Sequence, residues 1–159
     1  MTSWRPAQKI VVKALALIRR EDAVLAVEIT NDDGTVKGVR PLGGGVEFGE
    51  RWQDALTQEF MEELGAEIHV SGDPVVLENI YAHHGDRGHE IVFLSEARFA
   101  DEALYDQAVF EFLESDETSA TARWFSLADL DASRLDLYPT GLKEYLEREE
   151  GSRSLKFPG

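Results

Sequence analysis

The stretch from Gly43 to Gly65 constrains the fold most. Three consecutive glycines precede a helical pattern from about Arg51 to Leu64 in which acidic and apolar residues share an edge. Leu56, Phe60 and Leu64 recur at four-residue spacing and form an apolar stripe. Glu59, Glu62 and Glu63 stand at i, i+3 and i+4, and at 3.6 residues per turn they span an arc of about 100°. Glu63 falls within about 20° of Leu56 on the same wheel. A purely solvated acidic face would oppose the stripe instead of overlapping it. The helix is therefore expected to pack against a sheet with its acidic edge half covered, and Gly65 is placed to end it in the left-handed conformation.

Like charges at this spacing repel, and partial burial adds a desolvation cost; a bound divalent cation offsets both. Mg²⁺ suits hard oxygen ligands, with Mn²⁺ as a substitute, and turns a repulsive cluster into a site that attracts a phosphate chain. Gly43, Gly44 and Gly45 let backbone groups approach a ligand closely, through a carbonyl for the metal or amides for phosphate oxygens. A triple glycine by itself more often marks a turn.

Elsewhere the chain alternates strand and helix signals. Gln8–Ile18 is nearly continuous in apolar residues, as when both faces of a sheet are covered. A second strand is expected over Asp22–Thr30, then a turn at Asn31-Asp32-Asp33-Gly34. Ile68–Val70, Val75–Ala82 and His89–Phe99 are β-rich, the last two separated by a polar loop at His83–Gly88. Ala122–Ser126 reads as a strand, Leu127–Asp131 as a short helix and Tyr138–Glu149 as a terminal helix. Together these predict an α/β fold with a mixed sheet covered on both faces. With no repeat or linker, one domain is expected over residues 1–150, followed by a frayed tail over 151–159.

Composition excludes several functions. No cysteine is present, so disulfides, thiolate zinc sites and cysteine nucleophiles are ruled out. No apolar run approaches a membrane span and the first twenty residues lack a secretory design, so a cytoplasmic location without membrane contact is expected. The formal charge of −15 argues against binding a nucleic-acid backbone. The acids cluster: residues 47–67 and 101–117 each hold seven, and the second run, with no base, reads as a solvated loop surface.

Gly44, five residues, Glu50, seven residues, then Gln58-Glu59-Phe60-Met61-Glu62-Glu63-Leu64-Gly65-Ala66 resembles the Nudix box over all 23 of its positions. Two positions depart from the family pattern. The family's arginine before the first glutamate of this block is Gln58 here, which hydrogen-bonds but supplies no charge, and the proline usually just before the glycines is Pro41, ahead of Leu42.

The resemblance implies an α/β/α sandwich and metal-dependent hydrolysis of the diphosphate linkage in a nucleoside diphosphate linked to another group, or in a nucleoside triphosphate. It implies Glu62 and Glu63 as leading Mg²⁺ ligands with the Gly43 carbonyl, and Glu59 as a further ligand or the base for the attacking water. Glu50 would support the loop–helix junction. A further carboxylate is expected ahead of Trp124, as Glu117, with Glu114 and Glu111 as competitors. Arg40, Arg98, Gly44 and Gly45 are candidates for phosphate contact and Tyr81 for substrate contact. His83, His84 and His89 lack paired metal-ligand spacing, and Trp124 with Phe125 reads as packing.

The substrate partner is thus expected to be a small nucleotide. A homodimer is admitted by the sequence. Gln58 motivates an alternative, a nucleotide-binding regulatory module of the same fold with weak or no catalysis. An isoprenoid diphosphate isomerase, which usually uses a cysteine, is disfavoured by the absence of one.

Overall fold

The structure, a computed structural model, describes residues 5–114 and 116–156. Eight strands and three α-helices follow in the order β1 (Ile10–Arg20), β2 (Ala23–Thr30), β3 (Val36–Gly45), α1 (Trp52–Leu64), β4 (Ile68–His83), β5 (Asp86–Phe99), β6 (Val109–Leu113), β7 (Ser119–Ser126), α2 (Leu127–Ser133), β8 (Asp136–Leu137) and α3 (Leu142–Lys156). The strands form one mixed sheet in the order β4-β5-β1-β3-β2-β7-β6, with β8 beside β3. The β1–β5 and β3–β8 pairs are parallel and the rest antiparallel.

The two-residue pleat of β1 explains why its apolar run is continuous. Ala14, Ala16 and Ile18 enter a core with Leu56 and Phe60 of α1, whereas Leu15 and Leu17 enter a second core with Leu130 of α2 and Leu142 and Leu146 of α3. The expected α/β/α sandwich results, with α1 on one face and α2 and α3 on the other. No helix among the described residues is long and apolar enough to cross a membrane.

Several boundaries differ from expectation. Gly43–Gly45 are not a loop but the end of β3, paired with Leu15, Ala14 and Lys13. Ile68–Val70 and Val75–Ala82 belong to one strand interrupted by a bulge between Ser71 and Val75. The polar loop shrinks to His84-Gly85, both at positive φ, the geometry of the tightest hairpin turn. The second acidic run holds a short 3-10 helix (Glu102–Asp106) and β6, whose Phe110 and Phe112 alternate inward. Pro139 and Gly141, the latter at φ 96°, delay α3 until Leu142, and α3 continues to Lys156, into the segment expected to fray; residues 157–159 lie outside the described residues.

Candidate active site: the carboxylate edge of α1

Helix α1 is seated by its apolar stripe, with Leu56 and Phe60 fully buried, and is closed by Gly65 at φ 62°, whose amide donates to the Met61 and Phe60 carbonyls. At its start Trp52 stacks on Phe93 of β5, ring centroids 5.9 Å apart. Ahead of it the Glu50 carboxylate accepts from the Glu47 amide at 3.0 Å, tying the chain between β3 and α1. This seating turns the acidic edge toward the end of β3.

The two glycines there serve different contacts. A β-carbon on Gly43 would lie 1.9 Å from the Ala14 carbonyl oxygen, so the close pairing of β3 with β1 requires glycine. A β-carbon on Gly44 would lie 2.7 Å from the Glu59 carboxyl carbon, so Glu59 rests directly over that glycine. Gly45 has open space where a side chain would project.

Not all three helix glutamates converge. Glu59 and Glu63 meet and share a hydrogen bond, and Glu63 is pushed up to about 9 by burial first, then by that bond and by the negative charges of Glu59 and Glu114, against a lowering by Arg40. Glu62 is exposed and its carboxylate accepts from Gln58 Nε2 at 2.8 Å. The uncharged Gln58 thus still orients a glutamate.

The third carboxylate near the pair comes from another element. Glu114, just past β6, acts on Glu63 and pairs with Arg40 of β3 at 3.3 Å. Glu117, the carboxylate expected in this role, is instead exposed at φ 67° in the β6–β7 turn, where its amide donates to the Glu114 carbonyl. The hairpin needs a left-handed residue at that position, and Glu117 supplies it. Glu111 lines a cleft of about 110 Å³ beside Glu63, together with Leu104, Gln107 and Phe110.

Arg98 does not reach this face. Along β5, Ala97 and Phe99 point into the α1-side core, so the exposed Arg98 projects to the opposite side with Glu96. Tyr81 is half-buried across Gly88, where a β-carbon would lie 2.2 Å from its Cζ. Its hydroxyl is pushed up to about 12 by burial and by Glu90, opposed by Arg40. The histidines engage carboxylates or each other: His84 with Asp32 and His89 with Glu78, each at 3.1 Å, and His83 edge-on to His84. Trp124 donates to the Gln107 carbonyl at 2.8 Å beneath the Arg20 guanidinium.

A buried polar chain that no sequence motif announces joins β1, β5, β4 and the segment before α3. Lys13 pairs with Glu90 at 3.2 Å, Asn79 donates to Glu90 at 3.0 Å, and the Thr140 amide donates to Asn79 Oδ1 at 3.0 Å. Glu90 and Asn79 are buried. The available signal was Lys13, the one charge within the apolar run Ile10–Ile18 of β1, and Glu90 at the head of the apolar run Ile91–Leu94 of β5.

A NUDIX domain model matches residues 9–148, and the chain belongs to the Nudix family. A segment of 53 residues is 43% identical to the nucleoside triphosphatase NudI of Escherichia coli and 45% identical to that of Escherichia fergusonii; the match covers 33% of this chain and 38% of those relatives. A Nudix hydrolase from Nitrosomonas europaea superposes with a TM-score of 0.62 at 20% identity, covering 91% of this chain and 90% of that one. A MutT Nudix hydrolase from Burkholderia pseudomallei gives 0.55 at 22% identity, covering 87% and 96%. Both share the fold.

Proposed function

We propose that the chain is a divalent-metal-dependent pyrophosphohydrolase acting on a small nucleotide, a nucleoside triphosphate or a nucleoside diphosphate linked to another group. The Glu59–Glu63 pair carries this reading. Two carboxyls crowded at the end of β3, one holding a proton far above its ordinary range, form a site whose repulsion a cation relieves. The nucleoside triphosphatase activity named for the NudI relatives supports the substrate class.

The donor set fits a hard cation, Mg²⁺ or Mn²⁺: Glu59, Glu62, Glu63 and the Gly43 carbonyl offer only oxygen. Among the described residues no three acidic or histidine side chains already stand around one point. Holding an ion therefore requires Glu63 to release its proton and Glu62 to turn from Gln58. Once bound, such an ion neutralises phosphate oxygens and lowers the pKa of a water. Glu59, fixed over Gly44, is placed either to ligate or to take the proton of the attacking water. The open strand end at Gly44–Gly45 admits phosphate oxygens to the backbone. A catalyst is favoured over a binding-only module by the full set of box glutamates, Glu59, Glu62 and Glu63, which the chain keeps although Gln58 replaces the arginine.

The test is a nucleotide panel with Mg²⁺ or Mn²⁺, following release of nucleoside monophosphate or phosphate. Glu62→Gln and Glu63→Gln are each expected to lower turnover at least about 100-fold, and chelator to abolish it. Absence of metal-dependent turnover across the panel would falsify the reading.

A further inference from the structure

Over Trp52–Leu64, α1 carries Asp54, Glu59, Glu62 and Glu63 and neither lysine nor arginine. Gln58 ties Glu62 but contributes no charge to the pair beyond it. The balancing cation comes from β3. Leu42 points into the α1-side core, and Arg40, two residues earlier, shares that face with Gly44. Its Nη2 lies 3.3 Å from Glu114 Oε1, with the two side chains 27% and 31% exposed, so Arg40 ties the end of β6 to the face of β3 on which Glu59 rests over Gly44. No lysine or arginine of α1 could replace it.

We propose that Arg40 is the positioning residue of the carboxylate cluster: anchored on Glu114, it supplies from β3 the cation that α1 lacks and holds the β6–β7 carboxylate against the Glu59–Glu63 pair. Its sequence-expected task was phosphate contact; the ion pair gives it this other one. The consequence for turnover rests on the metal-dependent reading above, whereas the coupling of Arg40 to Glu114 does not.

The experiment is a double-mutant cycle of Arg40→Ala and Glu114→Gln, read twice. In chelator-treated protein, each single variant is expected to lower the melting temperature, with the double variant no lower than the worse single. With nucleotide and Mn²⁺, Arg40→Ala is expected to lower kcat about tenfold to a hundredfold, with KM changed less than about threefold. Glu114→Gln is expected to match it and the double to add nothing. Arg40→Lys should recover part of the loss, and Gln58→Arg placed in Arg40→Ala should recover most of it by returning a cation from the helix. A loss confined to KM, or single effects that simply multiply, overturns the proposal. A wild type without metal-dependent turnover refutes the enzymatic reading instead, and the melting cycle still decides Arg40.

Discussion

A β-carbon built on Gly44 meets the Glu59 carboxyl carbon at 2.7 Å, whereas one built on the adjacent Gly43 meets the Ala14 backbone oxygen at 1.9 Å. A carboxylate tip can swing away and a paired strand cannot, so the two alanine substitutions should separate site from fold. Gly44→Ala is expected to change unfolding free energy by about 1 kcal/mol or less while displacing Glu59 and weakening Mn²⁺ binding. Gly43→Ala is expected to cost at least about 3 kcal/mol. Denaturant titration and Mn²⁺ binding on both variants check this. If Gly44→Ala bound Mn²⁺ and turned over like wild type, Glu59 would have no part in the site.

Glu63 sets a pH dependence with a definite sign. Its carboxyl rises from 4.5 to about 9 on folding, chiefly by burial, so the folded chain binds that proton more tightly than the unfolded one. The associated stability is fully present below about pH 4.5 and is lost as pH rises toward 9. In chelator, wild-type stability should therefore fall more steeply between pH 5 and 8.5 than that of Glu63→Gln, measured by denaturant midpoints. Metal uptake at pH 7 should release close to one proton, visible as a buffer-dependent binding enthalpy. Equal slopes for the two proteins would show that Glu63 holds no raised proton.

What could be read from the sequence follows from where the information is local. The overlap of Glu63 with Leu56 on one helix, and the termination by Gly65, depend only on 3.6-residue spacing, and both appear in the structure. The Glu114–Arg40 and Lys13–Glu90 pairs join residues 74 and 77 positions apart, and no periodicity reports such a distance. Arg98 failed for another reason: its face depends on the phase of β5, which the apolar residues Ala97 and Phe99 reveal only once the strand is known to be covered on both sides. The glycines misled because pairing of β3 with β1 leaves no trace in residues that have no side chain.

Glu117 offers a test of its reassignment from catalysis to turn geometry. A non-glycine residue at φ 67° is strained, so Glu117→Gly should raise stability by about 0.5–1 kcal/mol and leave kcat within about twofold. Thermal melting and steady-state kinetics suffice. A large loss of kcat with unchanged folding would return Glu117 to the site.

Arg19 probes the other face of the sheet. Its Nε and Nη2 donate to the two Glu96 carboxylate oxygens at 2.8 Å each, and Nη2 also donates to Glu149 of α3 at 2.6 Å. These bonds raise the guanidinium still further above its ordinary range, led by the Glu96 hydrogen bond, so it stays charged at every working pH. The clamp therefore fastens α3 to β1 and β5 next to a 380 Å³ pocket floored by Leu130, Leu137 and Leu146. Arg19→Met keeps much of the apolar stem but leaves two carboxylates, 42% and 27% exposed, without their cation. Partial exposure lets water take up some of that charge, so the expected cost is about 1–3 kcal/mol, below that of a fully buried pair. Because α1 lies across the sheet, Mn²⁺ affinity and kcat should stay within about twofold at temperatures where the variant is folded. Hydrogen exchange should locate the loss in α3; protection lost equally in α1 would mean that the two helical layers are not energetically separate.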